Sequence, residues 1–130
     1  MEKFISRSLL NSFVEGFGVI HQVPTLVFRN DSIGKDYNLY LLDTIVDSNI
    51  KDFDIFENEQ RTLLIFFKLN LKTVTSFEIE DKNILTLHFE DIWIKLSSNN
   101  EYEFLQIGCE SKEKIEMLII NSDGTFSVWD

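Results

Sequence analysis

The sequence predicts an α+β domain built mainly from antiparallel β-sheet, with one or two short helices. Three observations support this class. Apolar and polar residues alternate with a period of two through most of the chain after residue 13, as in half-buried strands. Turn-forming residues separate these runs at short intervals. Helix-like patterns are confined to the N-terminal residues and to a stretch near residues 58–68.

The first half of the chain predicts a short helix followed by three strands. Apolar residues between positions 4 and 15 are spaced as on one face of a helix. Gly16 and Gly18 break this pattern, and the period changes to two from Phe17. Because residues 13–20 also resemble the strand at 73–80, we place a strand from Phe13 onward and the helix only before it. The next strand is expected to begin at or after Pro24, because proline has no N–H to donate within a sheet. After a polar turn, Tyr37–Leu42 resumes a strand.

The middle of the chain is less regular. Residues between Asp43 and Glu59 predict an acidic loop that contains one short strand. Asn58 is a suitable N-cap for a helix over residues 59–68, whose first residues are good helix formers.

The second half alternates most cleanly and predicts short strands arranged as one antiparallel meander. Ser98–Asn100 is expected to turn the chain, and the Asp-Gly pair at 123–124 favours a hairpin. The expected strand runs are 74–80, 85–90, 92–97, 102–107, 115–120 and 125–129.

Two segments, about residues 13–45 and 73–107, resemble each other. Residues 13–20 align with 73–80, 25–28 with 86–89, and 37–41 with 92–96. An internal duplication would explain the likeness, although unrelated β-meanders also look alike at this level. In either case residues 1–130 are expected to form a single domain, since half of the chain is too small to hold a core easily.

The charge balance favours some partners over others. Asp and Glu number 22 against 12 Lys and Arg, which gives a net charge of −10. We therefore expect no direct binding to nucleic acid or to an anionic membrane, because both are polyanions. A basic protein partner suits this charge.

The termini and the single cysteine indicate a cytoplasmic protein. The N-terminus mixes acidic and basic residues without an apolar run, so a secretory signal is not expected. The longest strongly apolar stretch, Leu63–Phe67, is far too short to span a bilayer. Cys109 has no second cysteine to pair with and is expected to be a small buried hydrophobe.

The sequence predicts no catalytic residue, metal site or cofactor. A His88–Glu90 pair on one strand face could coordinate a metal or transfer protons, although such pairs are more often solvated. Gly16–Gly18 lacks the further residues of a phosphate-binding loop. We therefore predict that the protein is not an enzyme. A deep pocket that holds His88 or Cys109 beside carboxylates would favour the opposite view.

Acidic residues form three groups, each of which is either a solvated surface or a patch that captures a basic partner. The first two groups supply the candidate partner-binding residues, because loops and turns on a rigid sheet usually carry recognition. These candidates are Asp47, Asp52, Asp54, Glu57, Glu78, Glu80, Asp81, Glu90 and Asp91. The third group comprises Glu101, Glu103, Glu110, Glu113 and Glu116. Nearby aromatic residues that could act as apolar anchors are Phe53, Phe56, Trp93 and Tyr102.

Four short segments carry a resemblance to a known group of proteins. They are Leu71–Val74, Leu85–Phe89, Tyr102–Ile107 and Gly124–Trp129, about half of the chain. With these segments the chain resembles the immunity proteins of bacterial polymorphic-toxin and contact-dependent growth-inhibition systems, and more narrowly a small β-rich family found among such genes.

The resemblance implies a cytosolic antidote that binds one cognate toxin domain over or near its active site and performs no chemistry. A basic nuclease is the toxin that the acidic charge suits best. Two alternatives remain open: a small β-rich interaction module in an unrelated cytosolic assembly, and a ligand-binding or enzymatic function. The oligomeric state is open as well.

Overall fold

The computed structural model describes residues 1–81, 83–98, 103–110 and 114–129. Within these residues the chain forms two helices and ten strands. The helices are α1 (Glu2–Ser8) and α2 (Asn58–Leu69). The strands are β1 (Phe13–Ile20), β2 (Val23–Asn30), β3 (Lys35–Leu41), β4 (Thr44–Ser48), β5 (Ser76–Glu80), β6 (Ile84–Phe89), β7 (Ile92–Ser98), β8 (Glu103–Glu110), β9 (Ile115–Asn121) and β10 (Phe126–Trp129).

The strands form two antiparallel sheets. The six-stranded sheet has the order β1-β2-β3-β8-β9-β10, and the four-stranded sheet has the order β4-β7-β6-β5. Strands account for 54% of the described residues and helices for 16%, which confirms the predicted β-rich α+β class. The short strand predicted within the acidic loop is β4.

The inner faces of the two sheets pack against each other and form the core. Leu26 and Leu39 of one sheet, and Leu87 and Ile94 of the other, have no exposed surface. The rings of Phe28 and Phe89 stack between the sheets at 6.4 Å and 16°. Full burial of one such side chain stabilises the fold by roughly 1.5–3 kcal/mol. Tight packing here fixes the outer faces that a partner can reach.

Each helix closes one side of this core. In α1, Phe4 contacts Tyr37 edge to face at 6.3 Å, and Ile5 is fully buried. In α2, Ile65 and Phe66 are fully buried, and the helix packs against β1 and β2. An edge contact between Phe17 and Phe67 at 6.2 Å adds to this packing. Both helices therefore pack against strands of the six-stranded sheet.

Two element boundaries differ from the predictions by one residue. Strand β2 begins at Val23, so the prediction that it starts at or after Pro24 is wrong. The ladder between β2 and β3 begins only at Thr25, so Pro24 lies where its missing N–H interrupts no pairing with β3. Helix α2 begins at Asn58 with Glu57 as its N-cap, so the prediction that Asn58 is the cap is also wrong. Glu57 makes no side-chain capping bond, and helix ends shift readily by a residue.

The single meander predicted for the second half is wrong, because this half is divided between the sheets. Strands β5–β7 belong to the four-stranded sheet, whereas β8 pairs with β3 of the other. The backbone N–H of Leu42 donates to the carbonyl of Phe104 at 3.1 Å where β3 leaves the six-stranded sheet. The turn expected at Ser98–Asn100 lies partly outside the described residues. Alternation identifies strands but carries no information about their neighbours.

The two segments that resemble each other have the same topology. Each is preceded by a helix and contains a three-stranded meander, and each meander is completed by a strand from the other half: β8 joins β3, and β4 joins β7. The N–H of Val14 donates to the carbonyl of Lys72 at 3.0 Å, and the N–H of Val74 donates to the carbonyl of Ser12 at 2.8 Å. Equivalent positions of the two segments therefore make equivalent bonds to each other. Duplication as the origin of this likeness stays a prediction.

Candidate binding surface

The His, Cys, Asp and Glu side chains of the described residues form no cluster of three or more that could hold a metal ion. His88 Nε2 lies 3.2 Å from Glu78 Oε1 on the neighbouring strand, so its partner is not Glu90. Glu90 occupies the β6–β7 turn with φ of 61°. The prediction of a His88–Glu90 pair is therefore wrong. It assumed that both residues lie on one face of the same strand, but the strand ends before Glu90.

Cys109 lies in the core, as predicted for a small buried hydrophobe. Burial raises the pKa of its thiol, and the neighbouring Glu116 carboxylate raises it further. A thiol with a raised pKa remains protonated near neutral pH and is a poor nucleophile.

Glu116 is also buried, although it was grouped with the surface acids. Its Oε2 accepts hydrogen bonds from Tyr37 Oη at 2.8 Å and from Lys35 Nζ at 3.1 Å. Arg7 Nη2 of α1 lies 3.8 Å from its other oxygen. Burial favours the protonated carboxyl, but the hydrogen bonds from Tyr37 and Lys35 and the nearby cations outweigh it and leave the pKa of Glu116 below its ordinary value. Glu116 thus ties α1 to the six-stranded sheet and is not a docking residue.

The rest of the third acidic group lies outside the description. Glu101 and Glu113, the side chains of Glu103 and Glu110, and the candidate anchor Tyr102 are not among the described residues and side chains.

Six of the nine candidate residues gather beside strand β4, at an edge of the four-stranded sheet. We call them the β4-edge cluster: Asp47, Asp52, Asp54, Glu57, Glu90 and Asp91. Asn49 connects the loop after β4 to the β6–β7 turn. Its Nδ2 donates to the carbonyl of Asp91 at 2.7 Å, and its Oδ1 accepts from the N–H of Trp93 at 3.0 Å. These two segments are separated in the chain by α2 and two strands, so no local pattern joins them.

Basic side chains hold the loop of this cluster in place. Arg61 of α2 donates from Nη2 to the carbonyl of Val46 and lies 3.9 Å from Asp54. Asp47 accepts from the N–H of Ser48 at 2.8 Å and from Lys51 Nζ at 3.3 Å. The bond from Ser48 is the main reason that the pKa of Asp47 is lowered. The loop is therefore anchored at both ends to the sheet and to α2.

The remaining candidates, Glu78, Glu80 and Asp81, lie on β5 and its turn at the opposite edge of the same sheet. Glu78 and Asp47 share a cross-strand row in which Thr86 and Lys95 lie between them. Lys95 Nζ is 3.9 Å from Glu80. The nine residues therefore form two acidic groups separated by a cation, not one continuous patch.

The loop that carries part of the β4-edge cluster also exposes apolar side chains between Asp54 and Glu57. Ile55 is 89% exposed and Phe56 is exposed beside it. Phe53 instead packs against the core, and Trp93 is half-buried. Sequence reasoning selected Phe56 but missed Ile55, whose signal was an apolar residue between acidic neighbours in an irregular stretch. An apolar centre with a charged rim is the usual anatomy of a protein-binding surface.

A second feature lies on the outer face of the six-stranded sheet. A cavity of about 430 Å³ is lined by Asn38, Tyr40, Gln106 and Met117, with His21 and Asp36 among its other residues. Asn38 Nδ2 donates to Tyr40 Oη at 2.9 Å. Neither His88 nor Cys109 is among its lining residues.

Comparisons of the chain with models of known protein families, with curated proteins and with solved structures found no match. Among the described residues, neither helix has the length and apolar character needed to cross a membrane. The function must therefore be inferred from the residues themselves.

Proposed function

We propose that this chain is a cytoplasmic immunity protein that binds and neutralises a cognate toxin domain, most plainly a basic nuclease, by covering its active site or substrate surface. The observation that carries the proposal is the β4-edge cluster: an anchored loop that presents Ile55 and Phe56 among six carboxylates. The resemblance of four segments to immunity proteins supports the same conclusion.

The charges suit the approach of a basic partner. A nuclease binds a polyanion and so has a basic cleft, which is attracted to a chain of net charge −10 before contact. Electrostatic steering can raise association rates well above those of neutral partners. Because these charges are exposed, the attraction falls as salt screens them over about 8 Å at physiological ionic strength.

The anchored loop suits tight binding. A loop that is already ordered loses little conformational entropy when it is covered. Arg61 and Asn49 hold it from opposite sides through the carbonyl of Val46 and the backbone of β7. Burial of Ile55 and Phe56 by the toxin would supply the apolar part of the binding energy.

The test is capture of a partner from the producing strain with the 130-residue chain as bait, at low and at moderate salt. We expect one basic protein domain to be retained, with less retained at moderate salt, and its activity to be lost in the complex. Retention of a domain that stays fully active, or no retention of a basic protein at low salt, would refute the proposal.

A further inference from the structure

The two sheets have four edges, and three of them are protected against pairing with another chain. Edge β4 is covered by the anchored loop and by Arg61. Edge β5 carries the exposed charges of Glu78 and Glu80. Edge β1 is bonded at Val14 by the segment after α2. Edge β10 has none of these devices in the described part of the chain.

Strand β10 is both uncharged and apolar. Residues 124–129 include no charged side chain. Phe126 is 49% exposed, Val128 39% and Trp129 51%. These side chains remain exposed because β9, on one side only, is the neighbour of β10. An exposed apolar edge strand is a template for strand addition.

The register fixes which backbone groups of β10 point outward. The N–H of Asn121 donates to the carbonyl of Thr125 at 2.9 Å, in the register that pairs Ser127 with Ile119. Bonded and non-bonded pairs alternate along an antiparallel ladder. The N–H and C=O groups of Phe126 and Val128 therefore point away from β9, toward the open edge.

We propose that β10 pairs antiparallel with β10 of a second copy of this chain and forms a twofold-symmetric dimer. In the register centred on Ser127, Phe126 of each copy lies opposite Val128 of the other. Their outward groups then form roughly four backbone hydrogen bonds between the chains. Phe126 and Val128, which lie on one face of the strand, then cover Val128 and Phe126 of the other copy.

Charge favours a second copy over a basic partner at this edge. Residues 124–129 carry no carboxylate of their own, and the cavity lined by Phe126 presents Lys3 beside Glu2, so this edge has no net charge to attract a basic surface, whereas the strand is complementary to itself. Two chains of net charge −10 repel each other elsewhere, and salt screens that repulsion. Dimerisation should therefore strengthen as salt rises, which is opposite to the salt dependence expected for capture of a basic toxin. The two proposals can thus fail separately.

Sedimentation equilibrium of the pure chain over a concentration series, at about 50 and 300 mM NaCl, tests the dimer. We expect the mass to rise from 15.3 kDa toward twice that value, with tighter association at the higher salt. The variant Val128→Lys should weaken association at least tenfold. The matched control is Val19→Lys, which adds the same charge at an exposed valine of β1 in the same sheet and should leave association unchanged. A monomer at all concentrations, or equal effects of both variants, would overturn the proposal.

Cross-linking tests the register without destabilising the strand. Facing Ser127 residues form a non-hydrogen-bonded pair, a spacing that a disulfide can bridge. Under mild oxidation, Ser127→Cys should give a covalent dimer, and it should do so much faster than Ser76→Cys on the exposed β5 edge. The native Cys109 is buried in both variants. Equal rates for the two variants would overturn the proposed register and interface.

Discussion

The buried carboxylate of Glu116 is predicted to stabilise the fold, and the variant Glu116→Gln isolates its charge. Glutamine keeps an oxygen that can accept from Tyr37, so the change removes mainly the ionic part of the contacts at 2.8, 3.1 and 3.8 Å. Lys35 and Arg7 are 37% and 42% exposed and can return to water, which limits the loss. We expect a decrease in the free energy of unfolding of about 1–2 kcal/mol.

The variant Glu116→Ala should lower the free energy of unfolding by about 1–3 kcal/mol more than Glu116→Gln does, because the hydroxyl of the fully buried Tyr37 then lacks its acceptor. The assay is urea denaturation at neutral pH, followed by tryptophan fluorescence. On a domain of this size, each kcal/mol should lower Tm by roughly 3–5 °C. The order of stability is therefore wild type, then Glu116→Gln, then Glu116→Ala.

The pH dependence has a definite sign. The pKa of Glu116 is lower in the folded chain than in the unfolded chain. Its stabilising effect is therefore present above the unfolded pKa of about 4.3 and is lost as the pH falls through the folded pKa. The difference between wild type and Glu116→Gln should be greatest at neutral pH and shrink in acid. A difference that stays constant from neutral pH down to about pH 3.5 would refute the reasoning.

The exposed Glu15 provides a control, because removal of its charge is expected to change stability in the opposite direction. Partial burial raises the pKa of its carboxyl, and the adjacent Asp36 raises it further. Its ionised form is therefore disfavoured in the folded chain at neutral pH. Glu15→Gln should leave stability unchanged or slightly higher at neutral pH, and any gain should vanish as the pH falls.

Three further outcomes are expected. Ile55→Ser should weaken binding of the captured toxin at least tenfold while leaving Tm unchanged, since this side chain is 89% exposed. Calorimetry measures the affinity and thermal denaturation measures Tm. A lower Tm with unchanged affinity would contradict this prediction. Cys109 should react with iodoacetamide at pH 8 far more slowly than in urea, because the thiol is buried and its pKa is raised; equal rates measured by mass spectrometry would show an accessible thiol. Phe28→Ala should destabilise the fold by about 3–5 kcal/mol, because it removes one of the two rings stacked between the sheets. A smaller decrease in the free energy of unfolding than that of Glu116→Gln, measured by urea denaturation, would contradict this description of the core.

The class of fold and the location of the elements were predictable because they follow from local patterns. The likeness of residues 13–20 to the strand at 73–80 separates α1 from β1, and the alternation before and after Asp81 marks the β5–β6 hairpin. The exchange of strands between the sheets was not predictable, because β8 has the same alternation whether it pairs with β7 or with β3. Strand neighbours depend on contacts that are distant in sequence.

The candidate surface was predictable only in part, for a similar reason. Glu116 and Glu80 are the same residue type in comparable strands, yet the first is buried beside Lys35 and Tyr37 and the second is exposed. Burial of a carboxylate depends on cations supplied by other elements. Likewise, Asp91 joins the β4-edge cluster through Asn49, a contact between the β6–β7 turn and the loop after β4 that the sequence does not reveal.

The central claim is that the β4-edge cluster neutralises a basic toxin, and inhibition of the captured domain by matched charge-reversed chains tests it most directly. The variant Asp52→Lys/Asp91→Lys reverses two cluster residues that hold no side-chain ion pair among those described above. Glu15→Lys/Asp31→Lys changes the net charge equally on the six-stranded sheet, and Glu78→Lys/Glu80→Lys does so on β5. The account predicts that the cluster variant loses at least about tenfold in inhibitory potency at low salt, while the six-stranded-sheet variant stays within about twofold of wild type. Equal losses for all three variants, or a loss confined to the six-stranded sheet, would contradict it.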